Sequence, residues 1–372
     1  MKHLFVTNDF PPKLGGIESY LTNLCRGFDP DDVAVVAPAR DGHEEVDAEL
    51  PYEVVRLSGS FLRATSTVEK SLVETVRRLN VDAVHYLSAL PLGRLGPKVR
   101  KATGVPYTVV AHGTGEILVP SRVPLARQAL RKTLIEADVV FPVSDFTRGA
   151  VDKLTKGRAT LSLLPPSVDV DRFSLAVSGA DVRTAHGVGG RFLVLFLGRL
   201  VKRKGADVLI RAVAALRGAV LIIGGEGPER AGLVKLAREL GIADRVMLPG
   251  LLPEQRLPEY YAAADVFCMP CNDRLGGLDT EGFGVVYLEA QASGIPCVAG
   301  RCGGSAEAVE NGVSGVVIND PTPRKVAVAL LDLRKDPGRC AQLGGAGRSR
   351  VERHFAPRVA AVRLEEAVET FV

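Results

Sequence analysis

No apolar run in the sequence exceeds about six residues, Phe192 to Leu197 being typical, whereas a membrane-crossing helix needs ~20. At the N-terminus one lysine and a short apolar stretch meet Asn8 and Asp9 almost at once, which is not the pattern of a secretory signal. The expected location is therefore the cytoplasm. Cysteine is sparse, with 6 in 372 residues, too few for a disulfide scaffold. Cys268 and Cys271 stand at a metal-knuckle or redox spacing, and Cys297 with Cys302 could complete a set of four. Yet Cys268 ends the apolar run Val266-Phe267 and Cys297 sits between Pro296 and Val298, settings in which a reduced thiol acts as a small hydrophobe. Charge of one sign is also lacking. Lys plus Arg minus Asp plus Glu is 47 − 43 = +4, too slight to argue for nucleic acid. Low-complexity tracts are missing, and so is the G-x-G-x-x-G fingerprint of dinucleotide folds after the first strand.

What is present is an alternation of short β-rich runs with helical patterns, the signature of parallel sheets covered on both faces. The first half reads as strands over Leu4–Thr7, Val33–Ala37, Glu53–Leu57, Ala83–Tyr86, Tyr107–Ala111, Val139–Val143 and Leu161–Leu164. Helical segments such as Ile17–Phe28, Val68–Leu79 and Val123–Glu136 fall between them. From Pro165 to Gly190 the pattern lapses into turn-forming residues, which marks a linker. It resumes with strands over Phe192–Leu197, Val220–Ile223, Val246–Leu248, Val266–Met269, Pro296–Ala299 and Gly315–Ile318. A single core stops growing near ~250–300 residues, so the expectation is two doubly wound α/β domains. The first spans 1–180 together with a final helix over 357–372, and the second spans 181–356. Such sheets bind ligands beyond the carboxyl ends of their strands, here across a cleft.

Four segments could carry chemistry. After the first strand, Asn8 to Ile17 ends in Gly15-Gly16 at a helix start, where backbone amides approach an anion closely; a plain strand-to-helix turn would look the same. The second domain opens with Gly198-Arg199-Leu200-Val201-Lys202-Arg203-Lys204-Gly205, a basic loop on the ligand side of its sheet. Arginine supplies a rigid fork and lysine a point charge, a pair suited to a diphosphate. The third segment is Asp279-Thr280-Glu281-Gly282-Phe283-Gly284-Val285-Val286-Tyr287-Leu288-Glu289-Ala290. Glu281 precedes a helix and Glu289 lies about two turns along, which at ~100° per residue puts both near one face, and the glycines uncover the amides of Phe283, Gly284, Val285 and Val286. Two carboxylates flanking a phosphate-accepting helix start suit a nucleotide sugar. They would also suit a glycosidase, although that chemistry has no use for the basic loop. The fourth is His112, which ends a strand and precedes Gly113-Thr114-Gly115-Glu116; a histidine there can contact a sugar hydroxyl or simply pack. Asp169-Val170-Asp171, a literal D-x-D, lies after Pro165-Pro166 and reads as turn chemistry.

Taken together, these segments resemble the family-4 glycosyltransferases of the GT-B fold. The resemblance runs through Thr7–Leu21, His112–Glu116, Phe196–Ile210, Gly224–Pro228 and Asp279–Gly300, with Glu281 and Glu289 at the E-x7-E spacing of that family. The stretch from Gly276-Gly277-Leu278-Asp279 through Glu289-Ala290-Gln291-Ala292 is especially similar to actinobacterial phosphatidylinositol mannoside mannosyltransferases, which use GDP-mannose. The resemblance implies that the Gly16 amide binds phosphate, that Arg199 and Lys204 neutralise the diphosphate, and that Glu289 holds the ribose. It further implies that Glu281 and the amides of Phe283 to Val285 hold the donor hexose, that His112 faces its C6 end, and that the last helix crosses back onto the first domain. Transfer would then retain anomeric configuration and need no divalent metal or other cofactor. The acceptor would be a lipid or glycan such as a phosphatidylinositol mannoside. The basic amphipathic segment Ser121 to Lys132 would touch an anionic membrane, or else pack on the core with a solvated face. Rival expectations are a nucleotide-sugar epimerase, or a transferase moving sugar from a UDP donor to a soluble acceptor.

Overall fold

In the computed structural model, which describes every residue except Leu14 and Val372 and the backbone alone of Thr114, the strand-rich runs form two six-stranded sheets. Leu14, inside the Asn8–Ile17 loop, and Val372, at the end of the expected last helix, lie outside the described residues. The first sheet comprises β1 (His3–Val6), β2 (Val33–Pro38), β3 (Glu53–Leu57), β4 (Ala83–Tyr86), β5 (Tyr107–Ala111) and β6 (Val139–Pro142). The second comprises β7 (Leu193–Leu197), β8 (Val220–Gly224), β9 (Val246–Gly250), β10 (Val266–Met269), β11 (Cys297–Gly300) and β12 (Gly315–Ile318). All neighbours run parallel. The orders are β3-β2-β1-β4-β5-β6 and β12-β11-β10-β7-β8-β9, the same doubly wound order in each. Consecutive strands such as Leu4-Phe5-Val6 are buried on both faces because helices cover both, which is why they read as apolar runs rather than alternating ones.

The chain divides into two compact units, Met1–Ser167 with Pro357–Val372, and Val168–Ala356. Residues 168 to 180 pack on the second unit. There the Val168 amide donates to the Phe355 carbonyl at 2.9 Å, and the Phe173 ring meets Tyr261 edge-on at 5.6 Å. Asp169 caps its own turn, accepting from the amides of Asp171 at 3.2 Å and Arg172 at 3.0 Å, which is the turn chemistry expected of that D-x-D. The final helix, Pro357–Val368, belongs to the first unit, where Ala360, Ala361, Leu364 and Val368 close over Phe5, Leu21, Leu24 and Phe28. Gly27 lets it come close, since a Cβ there would lie 2.2 Å from the Pro357 carbonyl oxygen. The expected strand over Leu161–Leu164 is not formed. Only Val140 and Leu161 bridge, because Pro142 has no N–H with which to continue the ladder.

Two histidines stand in the core of the first unit. His3 on β1 and His85 on β4 are fully buried, with His3 Nδ1 3.0 Å from His85 Nε2 and His85 Nδ1 2.8 Å from Thr108 Oγ1. Burial holds both neutral, lowering His3 to about 4 and His85 well below its ordinary value. The unfolded chain takes up these protons near pH 6.5, while the folded chain refuses them until far lower pH. Stability is therefore full above about pH 6.5 and falls as pH drops toward 4, by about 3 kcal/mol for His3 alone. Guanidinium unfolding at pH 7.5 and 4.5, with an NMR titration of the histidine ring protons, checks this. A His3 that titrates near 6.5 in the folded protein would contradict it.

Candidate functional site

In a doubly wound sheet the loops after the two central strands diverge, leaving a crevice where the strand order reverses. In the second unit those strands are β7 and β10. The loop after β7 is the basic segment Gly198 to Gly205, and the loop after β10 runs from Pro270 to Gly284. The strand order thus brings together two stretches some seventy residues apart in the chain, and their charges meet. Lys204 Nζ lies 2.9 Å and Arg203 Nη1 2.8 Å from the same carboxylate oxygen, Glu281 Oε2. Arg203 Nε reaches Asp279 Oδ1 at 3.0 Å. Lys204 is 8% and Glu281 9% exposed, so the pair is shielded from water. Burial alone would raise the Glu281 carboxyl, but the charges of Lys204 and Arg203 overcome it and hold the group below the usual carboxylate range. Glu281 is ionised wherever the protein is folded and near neutral pH.

The backbone around this pair is shaped by glycines at positions no side chain could occupy. Gly225 follows β8 at φ +134°, and a Cβ there would lie 2.0 Å from the Gly198 carbonyl oxygen. Gly303 adopts φ +51° with its Cβ position 2.3 Å from the Glu281 carbonyl oxygen, which also accepts from the Gly304 amide at 2.9 Å. Glu281 is thus held by its side chain from the β7 loop and by its carbonyl from the loop after β11. The helix Val285–Ala292 begins only after Gly284. Glu281 thus precedes the helix, as expected, but the helical angle that would align it with Glu289 is corrected: a left-handed Gly284, φ +98°, turns the chain before the helix begins. Val285 and Val286 form the first turn, whose amides have no acceptor within the helix. Phe283 is buried with its ring 5.9 Å from that of Phe355.

Glu289 lies in the helix itself. Its Oε2 accepts from Tyr261 Oη at 2.6 Å, and burial raises its carboxyl above the ordinary value against that bond and the Arg172 charge. Arg199 is exposed and has no ion-pair partner among the described residues, whereas Lys202 pairs with Glu229. Cys268, Cys271, Cys297 and Cys302 are free and buried in the core of this unit, and burial raises each thiol. In the first unit, Gly16 is the exposed first residue of the helix Gly16–Cys25, and a Cβ there would meet nothing within 4 Å, so local packing does not require glycine. His112 follows β5; its ring meets Tyr20 edge-on at 5.0 Å, and its Nε2 is buried without a hydrogen-bond partner. Burial lowers His112 to about 4 and keeps it neutral.

The structure therefore joins Lys204 and Glu281 directly and sets the Val285 helix start beside them in sequence. Arg203, Asp279 and Tyr261 are partners that spacing did not reveal. Arg203 was visible as one more cation of the loop, but the pairing depends on β7 lying next to β10.

This geometry, an anion-ready helix start and cations at the switch point of a doubly wound domain, defines a nucleotide-sugar-type transferase architecture. Residues 14–172 match the model of glycosyltransferase family 4, and residues 181–350 that of glycosyl transferases group 1. The chain belongs to the family-4 glycosyltransferases. It is 40% identical, over 98% of its length and 97% of the relative's, to the GDP-mannose-dependent alpha-(1-6)-phosphatidylinositol monomannoside mannosyltransferase of Mycolicibacterium smegmatis. It is 35% identical, over 99% of its length and 98% of the relative's, to the monoacylated-acceptor mannosyltransferase of that type from Corynebacterium glutamicum. Among solved structures, HepE of Anabaena in complex with UDP superposes with a TM-score of 0.84 at 21% identity, each chain covered fully. Sucrose-phosphate synthase of Thermosynechococcus elongatus superposes at 0.81, also at 21% identity, over 100% of this chain and 99% of the other.

The Gly303–Glu281 contact generates a prediction. Gly303→Ala strains the backbone and pushes the Glu281 carbonyl, lowering stability by about 1–3 kcal/mol. Gly241→Ala has the same left-handed backbone, φ +67°, but nothing within 4 Å of the new Cβ, so it should cost less. Thermal unfolding of both variants checks this; equal losses in the two would contradict it.

Proposed function

We propose that the protein is a retaining, metal-independent α-mannosyltransferase that moves mannose from GDP-mannose to a phosphatidylinositol mannoside. The observation that carries the reading is the Lys204–Glu281 pair at the switch point of the second sheet, with Arg199 unpaired on the same loop and Glu289 a further eight residues along. The named activities of the M. smegmatis and C. glutamicum relatives supply the donor and the acceptor class.

In this reading Arg199 and Lys204 neutralise the diphosphate, joined by the Gly16 amide and the free first-turn amides of Val285 and Val286. Glu289 accepts from the ribose hydroxyls. Its Tyr261 bond orients the carboxylate, and a donor hydroxyl restores some of the solvation that burial removed. Glu281, with the amides of Phe283 and Gly284, holds hydroxyls of the mannose, and His112 contacts its C6 end. As the glycosidic bond to the phosphate breaks, negative charge grows on the leaving GDP, where fixed cations and amides stabilise it most. The departing phosphate oxygen takes the proton of the acceptor hydroxyl on the same face, so configuration is retained. Two cations against a diphosphate supply the charge that a divalent ion would otherwise bring.

A lipid acceptor requires contact with a bilayer. The helix Pro124–Glu136 buries Leu130, Thr133 and Leu134 and turns Leu125, 81% exposed, outward with Arg127 and Lys132. Val119 and Val123 are exposed beside Arg122. Apolar side chains ringed by cations suit an anionic membrane surface, so we place the enzyme at the cytoplasmic face of the cell membrane as a peripheral protein. Among the described residues no helix is long and apolar enough to cross a membrane.

The purified protein should release GDP from GDP-mannose in the presence of a phosphatidylinositol monomannoside, and continue to do so in excess EDTA. Release of UDP from a UDP-sugar with no release of GDP would overturn the donor, and loss of activity in EDTA would overturn metal independence. Arg199→Ala and Lys204→Ala should each lower the rate by ~10²-fold or more, and near-native turnover in both would remove the diphosphate role. Leu125→Asp with Arg127→Glu should abolish sedimentation with anionic liposomes at low salt; a wild-type protein that does not sediment would dismiss the membrane contact.

A further inference from the structure

Glu116 takes no part in the chemistry above, yet its carboxylate is fully used. Oε1 accepts from the Ala89 amide at 2.7 Å and Oε2 from the His112 amide at 2.9 Å. Ala89 lies in the loop after β4 and His112 in the loop after β5, strands paired in the sheet, so one side chain ties together the two loops beyond their carboxyl ends. The same pair of loops is joined a second time, since the His112 ring hydrogen-bonds the Leu87 carbonyl. Nε2 has no partner, so this bond uses Nδ1. A carbonyl can only accept; the neutral ring therefore carries its proton on Nδ1 and a lone pair on Nε2. The Tyr20 ring, edge-on at 90° and anchored by its hydroxyl to the Leu164 carbonyl at 3.3 Å, fixes the remaining side of the imidazole.

Burial pushes the Glu116 carboxyl up to about 8, against the two amide bonds that favour its ionised form. With both oxygens facing N–H donors, a side chain of this length with two acceptor oxygens meets the demand. Two amide donors converge on one side chain, and glutamine would offer one oxygen and turn an N–H toward the other donor. Aspartate keeps both oxygens but is shorter by a methylene. We propose that Glu116 is a positioning residue: by accepting from both amides it fixes the His112 backbone against the Leu87–Ala89 loop, so that the ring donates to Leu87 and presents Nε2 as a hydrogen-bond acceptor for a hydroxyl of the transferred sugar. This rests on the proposed contact between His112 and the donor hexose. Burial, which keeps the imidazole neutral, and the nearby Asp9 carboxylate, which alone would favour the imidazolium, are the charges that bear on the ring.

The test uses the full chain labelled with 15N in its histidine rings, with long-range 1H–15N correlation at pH 7.5. His112, identified by loss of its signals in His112→Gln, should show the Nδ1–H tautomer. In Glu116→Gln that pattern should give way to a mixture. Turnover of GDP-mannose should fall ~10-fold or more while GDP affinity stays within twofold, and Glu116→Asp should recover part of the turnover. An Nε2–H tautomer or an imidazolium in the wild type overturns the proposal without any variant needing to fold. So does a folded Glu116→Gln with unchanged tautomer and turnover. A Glu116-dependent Nδ1–H tautomer in a protein that transfers sugar from no nucleotide sugar supports the clamp and overturns the proposed function instead.

Discussion

The organising constraint of the second unit is a shielded carboxylate shared by two cations. A charge withdrawn from water is tolerable only when paired, and removing one partner of such a pair typically costs ~3–5 kcal/mol. Glu281, Lys204 and Arg203 meet this condition across the switch point, so the loops after β7 and β10 cannot move independently. The glycines follow from that close approach. Gly225 gives way to the β7 loop, Gly303 to the Glu281 carbonyl, and Gly205, at φ +72°, would place a Cβ 2.3 Å from the Pro270 carbonyl oxygen. A compact loop pair results, with its cations fixed by the shared carboxylate.

The same logic explains the contrast between the two glutamates of the E-x7-E pair. Glu281 is stabilised as an anion by cations, while Glu289 has a hydroxyl partner and its carboxyl is raised by burial. One carboxylate is therefore part of a charge network, and the other is an acceptor bonded to a tyrosine hydroxyl. In the first unit the His112 imidazole is kept neutral by burial, Gly16 is exposed at a helix start, and Glu116 accepts from two backbone amides while burial raises its carboxyl.

Much of this was legible in the sequence, for reasons that can be stated. Strands such as Ala83–Tyr86 and Tyr107–Ala111 follow Asp82 and Pro106 and are fully buried, so they stand out as short apolar runs. Leu161–Leu164 has the same apolar look, but a strand needs a neighbour able to pair, and Pro142 withholds the donor. The E-x7-E spacing drew attention to two carboxyl groups that both feel desolvation by burial, but the helical angle between them does not hold because Gly284 breaks the helical path. Arg203 and Tyr261 stayed hidden since their partners are set by strand order and by the packing of separate helices, which no local pattern encodes.

The most direct test of the central claim is a crystal structure of the protein with GDP bound. The account predicts the diphosphate over the β7 loop, with Lys204 and Arg199 in hydrogen-bond contact with its oxygens and the ribose against Glu289. A nucleotide bound elsewhere, with Lys204 and Glu281 still paired and untouched by it, would contradict the account.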